Sequence, residues 1–83
     1  MAEIVIYSSG ACPYCSRAKR LLENKGKPYT EIRVDKERGM REEMEDRSGR
    51  TSVPQVFIDG RHIGGYDDMA DLDARGDLDP LLA

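Results

Sequence analysis

No apolar run in this chain is long enough to cross a bilayer. Near the N-terminus the longest strictly apolar stretch is Ile4-Val5-Ile6-Tyr7, far short of the roughly 20 residues a spanning helix needs. Glu3 also interrupts the pattern of a secretory leader, so a cytosolic chain with no membrane partner is expected. Basic charge is not in excess: 13 Lys and Arg face 16 Asp and Glu, for a formal net charge of −3. Basic and acidic residues number six and four up to Asp35, and seven and twelve beyond it. Nucleic-acid binding carries a basic patch, and this acidic second half argues against such a partner. Linkers, internal repeats and low-complexity segments are lacking too. A chain of 83 residues buries only about 60% of its unfolded surface, which leaves no room for a second core and excludes multidomain enzymes. What is present, 39% hydrophobic and 35% charged residues, is the composition of one globular domain over residues 1–83.

The patterning predicts an α/β chain. Ile4 to Tyr7, bounded by Ser8-Ser9-Gly10, is a run of β-formers that reads as a central strand buried on both faces. Pro13 can open a helix, on which Tyr14, Ala18, Leu21 and Leu22 share one face and Arg17, Lys19 and Arg20 face outward. Asn24-Lys25-Gly26 ends it. Thr30, Ile32 and Val34 alternate with Glu31 and Arg33, the period of a strand with one buried face, and a right-handed crossover makes the first two strands parallel. From Lys36 to Ser48 a thinly anchored helix is expected, capped by Asp35, held by Met40 and Met44, and closed by Gly49. Gln55 to Ile58, Asp59-Gly60, then Arg61 to Ile63 is an antiparallel hairpin with a type I′ turn. After Gly64-Gly65 an Asp pair takes the N-cap position of a final helical segment carrying Met69, Leu72, Leu78, Leu81 and Leu82. The predicted order is βαβαββα, with three helices.

Both cysteines fall in Cys12-Pro13-Tyr14-Cys15, where a strand gives way to a helix, the position and spacing of a redox motif. A structural zinc site wants four nitrogen or sulfur ligands; beyond the two thiols only His62 remains, so carboxylates or a second chain would have to complete it. A purely structural disulfide is weak, because closing a loop of about four residues is worth roughly 1.9 kcal/mol. Two inert core cysteines are the third alternative, but Cys12 lies where the chain leaves a strand, a common place for function.

A division of labour follows from the redox reading. Pro13 biases Cys12 away from the α region, which suits an N-cap residue. Its sulfur can then face the free N–H groups of Tyr14 and Cys15, and the positive end of the helix dipole favours a thiolate. Cysteines so placed have pKa values of roughly 3.5–7.5, against ~8.5 unperturbed, and only the thiolate attacks. Cys15, three residues on, shares the helix face at about 5–6 Å and can resolve a mixed disulfide. Tyr14 reads equally as core or as a wall of the site. No metal is expected.

Cys12-Pro13-Tyr14-Cys15, Ser52-Val53-Pro54 and Gly64-Gly65-Tyr66-Asp67-Asp68, at these separations, resemble the glutaredoxins, the small bacterial dithiol type in particular. Arg47-Ser48-Gly49-Arg50 and Leu72-Asp73-Ala74-Arg75-Gly76 extend the likeness over essentially the whole chain. The resemblance implies a thioredoxin fold, a four-stranded mixed sheet flanked by helices. It implies that Pro54 is cis and that the Val53 backbone pairs with the cysteinyl segment of glutathione. It also implies that the segment of Gly65, Tyr66 and Asp67 binds glutathione, placing backbone N–H groups, that of Asp67 among them, against the γ-glutamyl carboxylate, with Asp67 also meeting the ammonium. Arg41 is the candidate for the glycine carboxylate, and Arg17 a weaker one; His62 reads as a surface or strand residue without a catalytic part.

Three positions depart from the family pattern. Ser9 stands where a lysine is frequent, so the helix amides must do more for the thiolate. Ser52 replaces a usual Thr but keeps the hydroxyl. Tyr66 replaces Cys or Ser, and its ring narrows the ligand groove or stacks along it. The resemblance implies a cytoplasmic monomer that reduces glutathionylated and disulfide-containing proteins, with glutathione as reducing co-substrate and no cofactor bound permanently. The rivals are a redoxin reduced by thioredoxin reductase and a carrier whose iron–sulfur cluster is held by Cys12 of two chains and two glutathione molecules.

Overall fold

A computed structural model describes residues 2–83. The elements run β1 (Ile4–Ser8), α1 (Pro13–Asn24), β2 (Thr30–Arg33), α2 (Met40–Ser48), β3 (Gln55–Ile58), β4 (Arg61–Gly64), α3 (Tyr66–Ala74) and α4 (Leu78–Leu82). The four strands form one mixed sheet in the order β2-β1-β3-β4. β1 pairs parallel with β2 and antiparallel with β3, and β3 pairs antiparallel with β4. The central apolar strand expected at Ile4 is therefore one of the two with neighbours on both sides.

Side chains alternate across the pleat, so each inner strand serves two cores. Ile4 and Ile6 of β1, with Val56 and Ile58 of β3, meet Ala18 and Leu22 of α1, Met69 of α3, and Leu78 and Leu82 of α4. Tyr7 of β1 and Phe57 of β3 point to the other face, where Met44 of α2 and Val34 close a smaller cluster. There the Arg47 guanidinium lies 4.2 Å from the Phe57 ring centroid and donates to the Tyr7 hydroxyl at 2.7 Å. The Tyr7 hydroxyl in turn donates to Glu43 at 2.8 Å. The thin second helix is thus held by one buried methionine and a polar network above it.

The hairpin turn forms as expected, with positive φ at Asp59 (51°) and Gly60 (80°), which the type I′ geometry needs. Three expectations are corrected. Asp35 does not cap α2: its carboxylate accepts Arg33 Nε and Nη2 at 2.9 and 2.8 Å and the Gly10 amide at 3.1 Å. With that side chain engaged, the chain turns, and the helix begins only after Gly39. The Asp pair does not supply the next N-cap either: Gly65 holds that position, and Asp68, inside the first turn, reaches back to accept the Gly65 N–H at 3.0 Å. Finally, the last helical segment is two helices, making four rather than three among the described residues. At Gly76 the backbone takes a left-handed φ of 77° and Asp77 N donates to Leu72 O at 2.9 Å, which ends α3 before α4 begins. Lys25 ties the pieces together, bridging Asp73 at 2.6 Å and Asp79 at 2.9 Å. Among the described residues, no helix is long and apolar enough to cross a membrane.

Candidate active site

Cys12 is the N-cap of α1, in extended conformation (φ −136°, ψ 99°), and Pro13 occupies the first turn. Proline disfavours the α region for the residue before it and needs no N–H partner of its own, so this sequence starts a helix here with the cysteine outside it. The Cys12 sulfur accepts the Cys15 N–H at 3.1 Å. That hydrogen bond and the helix dipole are the two features that favour a thiolate at this atom when the site is reduced. Cys15 is 1% exposed. The two cysteines are paired as a disulfide, with Cα atoms 5.2 Å apart, so the pair is geometrically able to cycle between dithiol and disulfide.

The preceding loop is anchored from the far edge of the sheet. Asp35, fixed by two Arg33 nitrogens, holds the Gly10 amide two residues before Cys12. The Arg33 guanidinium beside it keeps the Asp35 carboxyl well below the usual carboxylate range.

Across from Cys12, Val53-Pro54 is a cis peptide bond, as the family resemblance implies. The Val53 carbonyl oxygen lies 3.9 Å from the Cys12 sulfur. Beside this contact opens a cleft of about 270 Å³. It is walled by Tyr14, by Ser52, Val53 and Pro54 from the loop before β3, and by Gly65, Tyr66 and Asp67 from the start of α3. Seven positions singled out from the sequence thus converge on one cavity next to Cys12. At the first turn of α3, the amides of Tyr66, Asp67 and Asp68 have no acceptor within the helix, an arrangement that suits an anion.

Tyr14 is 51% exposed, a wall of the cleft and not part of the core. Its ring lies 6.4 Å from that of Tyr66 at 36°, and the Arg17 guanidinium sits 5.2 Å from its centroid. Arg41 does not line the cleft; its Nη1 donates to the Thr51 carbonyl at 3.1 Å. Three lining residues had not been singled out for the site: Arg50, Gln55 and Asp68. Arg50 Nη1 donates to Asp68 Oδ2 at 2.8 Å, joining the loop before Val53 to α3. Arg50, and then the Gly65 N–H, hold the Asp68 carboxyl below its ordinary value. The signal for Arg50 was its place next to Thr51-Ser52-Val53-Pro54, but nothing in the sequence distinguishes it from the other exposed arginines. Among the described residues, no group of three or more His, Cys, Asp or Glu side chains is placed to hold a metal ion.

The glutaredoxin family model matches residues 4–63. The chain is 58% identical over 82 residues to glutaredoxin 3 of Escherichia coli (strain K12), covering 99% of both chains. It is 45% identical over 83 residues to a glutaredoxin of Pseudomonas aeruginosa, covering 100% of this chain and 99% of that one. Among solved structures, the buckwheat glutaredoxin–glutathione complex superposes with a TM-score of 0.91 at 36% identity, over 98% of this chain and 76% of that one. Glutaredoxin from Brucella melitensis superposes at 0.87 with 46% identity, over 99% and 89%.

Proposed function

Because the chain belongs to the glutaredoxin family and carries a thiol-disulfide pair at Cys12 and Cys15, we propose that it is a glutathione-dependent oxidoreductase acting on protein–glutathione mixed disulfides and on protein disulfides. The observation that carries the reading is the cleft beside Cys12, where an exposed peptide backbone at Val53 and free helix amides at α3 face one cavity. Glutathione offers a peptide backbone and a carboxylate to such a surface. Its binding by the buckwheat relative supports the same use here.

In the first step the Cys12 thiolate attacks the glutathione sulfur of a mixed disulfide. The Cys12–glutathione bond forms, the bond to the protein sulfur breaks, and the protein leaves as a thiolate that takes a proton from water. A second glutathione thiolate then attacks the bound glutathione sulfur, releasing glutathione disulfide and restoring Cys12. With a protein disulfide as substrate, Cys12 forms the mixed disulfide and Cys15 attacks the Cys12 sulfur. The substrate leaves as a dithiol, and the Cys12–Cys15 disulfide remains for two glutathiones to reduce. The cleft contributes by placing the glutathione sulfur in line with Cys12.

Ser52, Val53, Pro54, Gly65, Tyr66, Asp67 and Tyr14 form the glutathione groove in this reading. Arg50, which lines the cleft, takes precedence over Arg41 as the cation nearest it. The whole chain acts as one monomeric cytoplasmic unit, with no resident cofactor.

The test is turnover of a glutathionylated peptide coupled to glutathione and glutathione reductase. The wild type and Cys15→Ser are expected to turn over and Cys12→Ser to be inactive, while reduction of a protein disulfide requires both cysteines. No turnover with glutathione, alongside turnover with thioredoxin reductase as donor, would overturn the reading.

A further inference from the structure

Gln55 and His62 form a polar connection that the mechanism above does not use. Gln55 opens β3 directly after Pro54 and is 1% exposed. Its Nε2 donates to the Ser52 carbonyl oxygen at 3.0 Å, and its Oε1 lies 2.7 Å from His62 Nε2. A carbonyl oxygen only accepts, so the NH₂ end of the carboxamide must face Ser52 and the oxygen must face the imidazole. His62 Nε2 therefore carries the proton and donates, and in the neutral ring Nδ1 is the bare nitrogen. The imidazole is itself held: His62 is paired with Phe57 across the β3–β4 ladder, with ring centroids 5.1 Å apart.

The far end of this connection bears on the groove. The Ser52 carbonyl and the Val53 N–H belong to one peptide group, which is trans, the only cis bond among the described residues being Val53-Pro54. In a trans peptide the C=O and N–H point in opposite directions. A Ser52 oxygen drawn inward to Gln55 thus turns the Val53 N–H away from Gln55.

We infer that His62 is a positioning residue: through Gln55 it sets the plane of the Ser52-Val53 peptide and so aims the Val53 N–H at the backbone of the glutathione half of a mixed disulfide. The inference rests on the glutathione reading and adds to it a residue of β4 that does not line the cleft. Without the imidazole donor, the buried Gln55 oxygen lacks a partner and the carboxamide is free to turn over, releasing Ser52. Substrate binding suffers; the ionisation of Cys12, set by the Cys15 amide, does not.

Two measurements test this. In the wild type, nitrogen–proton correlation of the imidazole is expected to show the neutral Nε2–H tautomer; the Nδ1–H tautomer would overturn the inference without need of any variant. In the glutathione-coupled assay, His62→Leu is expected to raise KM for a glutathionylated peptide about tenfold, with the alkylation rate of reduced Cys12 unchanged. His62→Gln, whose amide nitrogen reaches the place of Nε2, is expected to restore most of the loss. An unchanged KM in folded His62→Leu, or a His62→Gln no better than His62→Leu, overturns the inference alone if the wild type turns over normally. A wild type without glutathione turnover overturns the parent reading and this inference with it.

Discussion

Replacing Asp68 by Ala removes one oxygen that serves two partners, the Gly65 amide at 3.0 Å and Arg50 Nη1 at 2.8 Å. The first bond satisfies an orphan donor at the start of α3 and is worth about 1 kcal/mol. Loss of a carboxylate from the first turn adds about 0.5 kcal/mol through the helix dipole. The ion pair is roughly half exposed, with side-chain exposures of 47% and 45%, so it contributes only about 0.5 kcal/mol. The expected total of about 2 kcal/mol corresponds to a fall in Tm of roughly 10 °C for a domain of this size. Arg50→Ala removes the ion pair alone and is expected to cost about a quarter as much. Asp68→Asn, which keeps an acceptor for Gly65 but loses the charge, is expected to fall between them.

The pH dependence of this difference has a definite sign. Arg50 and the Gly65 amide lower the folded pKa of Asp68, so the contribution of its charge is complete above the unfolded value of about 3.9 and is lost as pH falls through the lowered folded value. Thermal unfolding followed by circular dichroism should therefore show a constant gap between wild type and Asp68→Ala at neutral pH that narrows in acid to what the protonated carboxyl, still an acceptor for the Gly65 amide, retains. Equal losses in Asp68→Ala and Arg50→Ala would refute the assignment of the main effect to the Gly65 cap, and a gap that does not narrow in acid would refute the part assigned to the carboxylate charge.

Other expectations follow from single contacts. Met44 is fully buried and is the main apolar anchor of α2, so Met44→Ala is expected to cost about 2–5 kcal/mol, read from the denaturant midpoint. Burial, and then the bond to Glu23, push the Tyr29 hydroxyl up to about 12. Ultraviolet titration should find a phenol ionising there, absent in Tyr29→Phe. Since the folded value is raised, the stability linked to Tyr29 is complete below about pH 10 and is lost as pH rises through the folded value, so Tyr29→Phe should lose less stability in that alkaline window. Cys15→Ser should retain deglutathionylation and lose reduction of protein disulfides, as separate coupled assays would show; equal loss of both would contradict the assigned roles.

Much of this arrangement was legible from local pattern. The run from Ile4 to Tyr7 marked the central strand, Asp59-Gly60 the hairpin, and Pro13 after Cys12 the helix start that exposes the sulfur to free amides. Less legible were the features set by competition among polar side chains. Asp35 looks like a helix cap in sequence, but Arg33 and Gly10 outbid the α2 amides for it. Asp67 and Asp68 look like an N-cap pair, but the side chain of Asp68 reaches back and leaves that position to Gly65. Arg50 and Asp68 are 18 residues apart, and no periodicity relates them; they meet because the loop before β3 and the start of α3 wall one cleft. Gln55 shows nothing unusual in sequence, since its role depends on which carbonyl turns inward.

The most direct measurement is the alkylation rate of Cys15→Ser, in which Cys12 is the only thiol, across a range of pH. If the sulfur is held as an anion at the helix start, the rate should reach half its maximum below about pH 7.5. A midpoint near 8.5, that of an ordinary cysteine, would contradict the account.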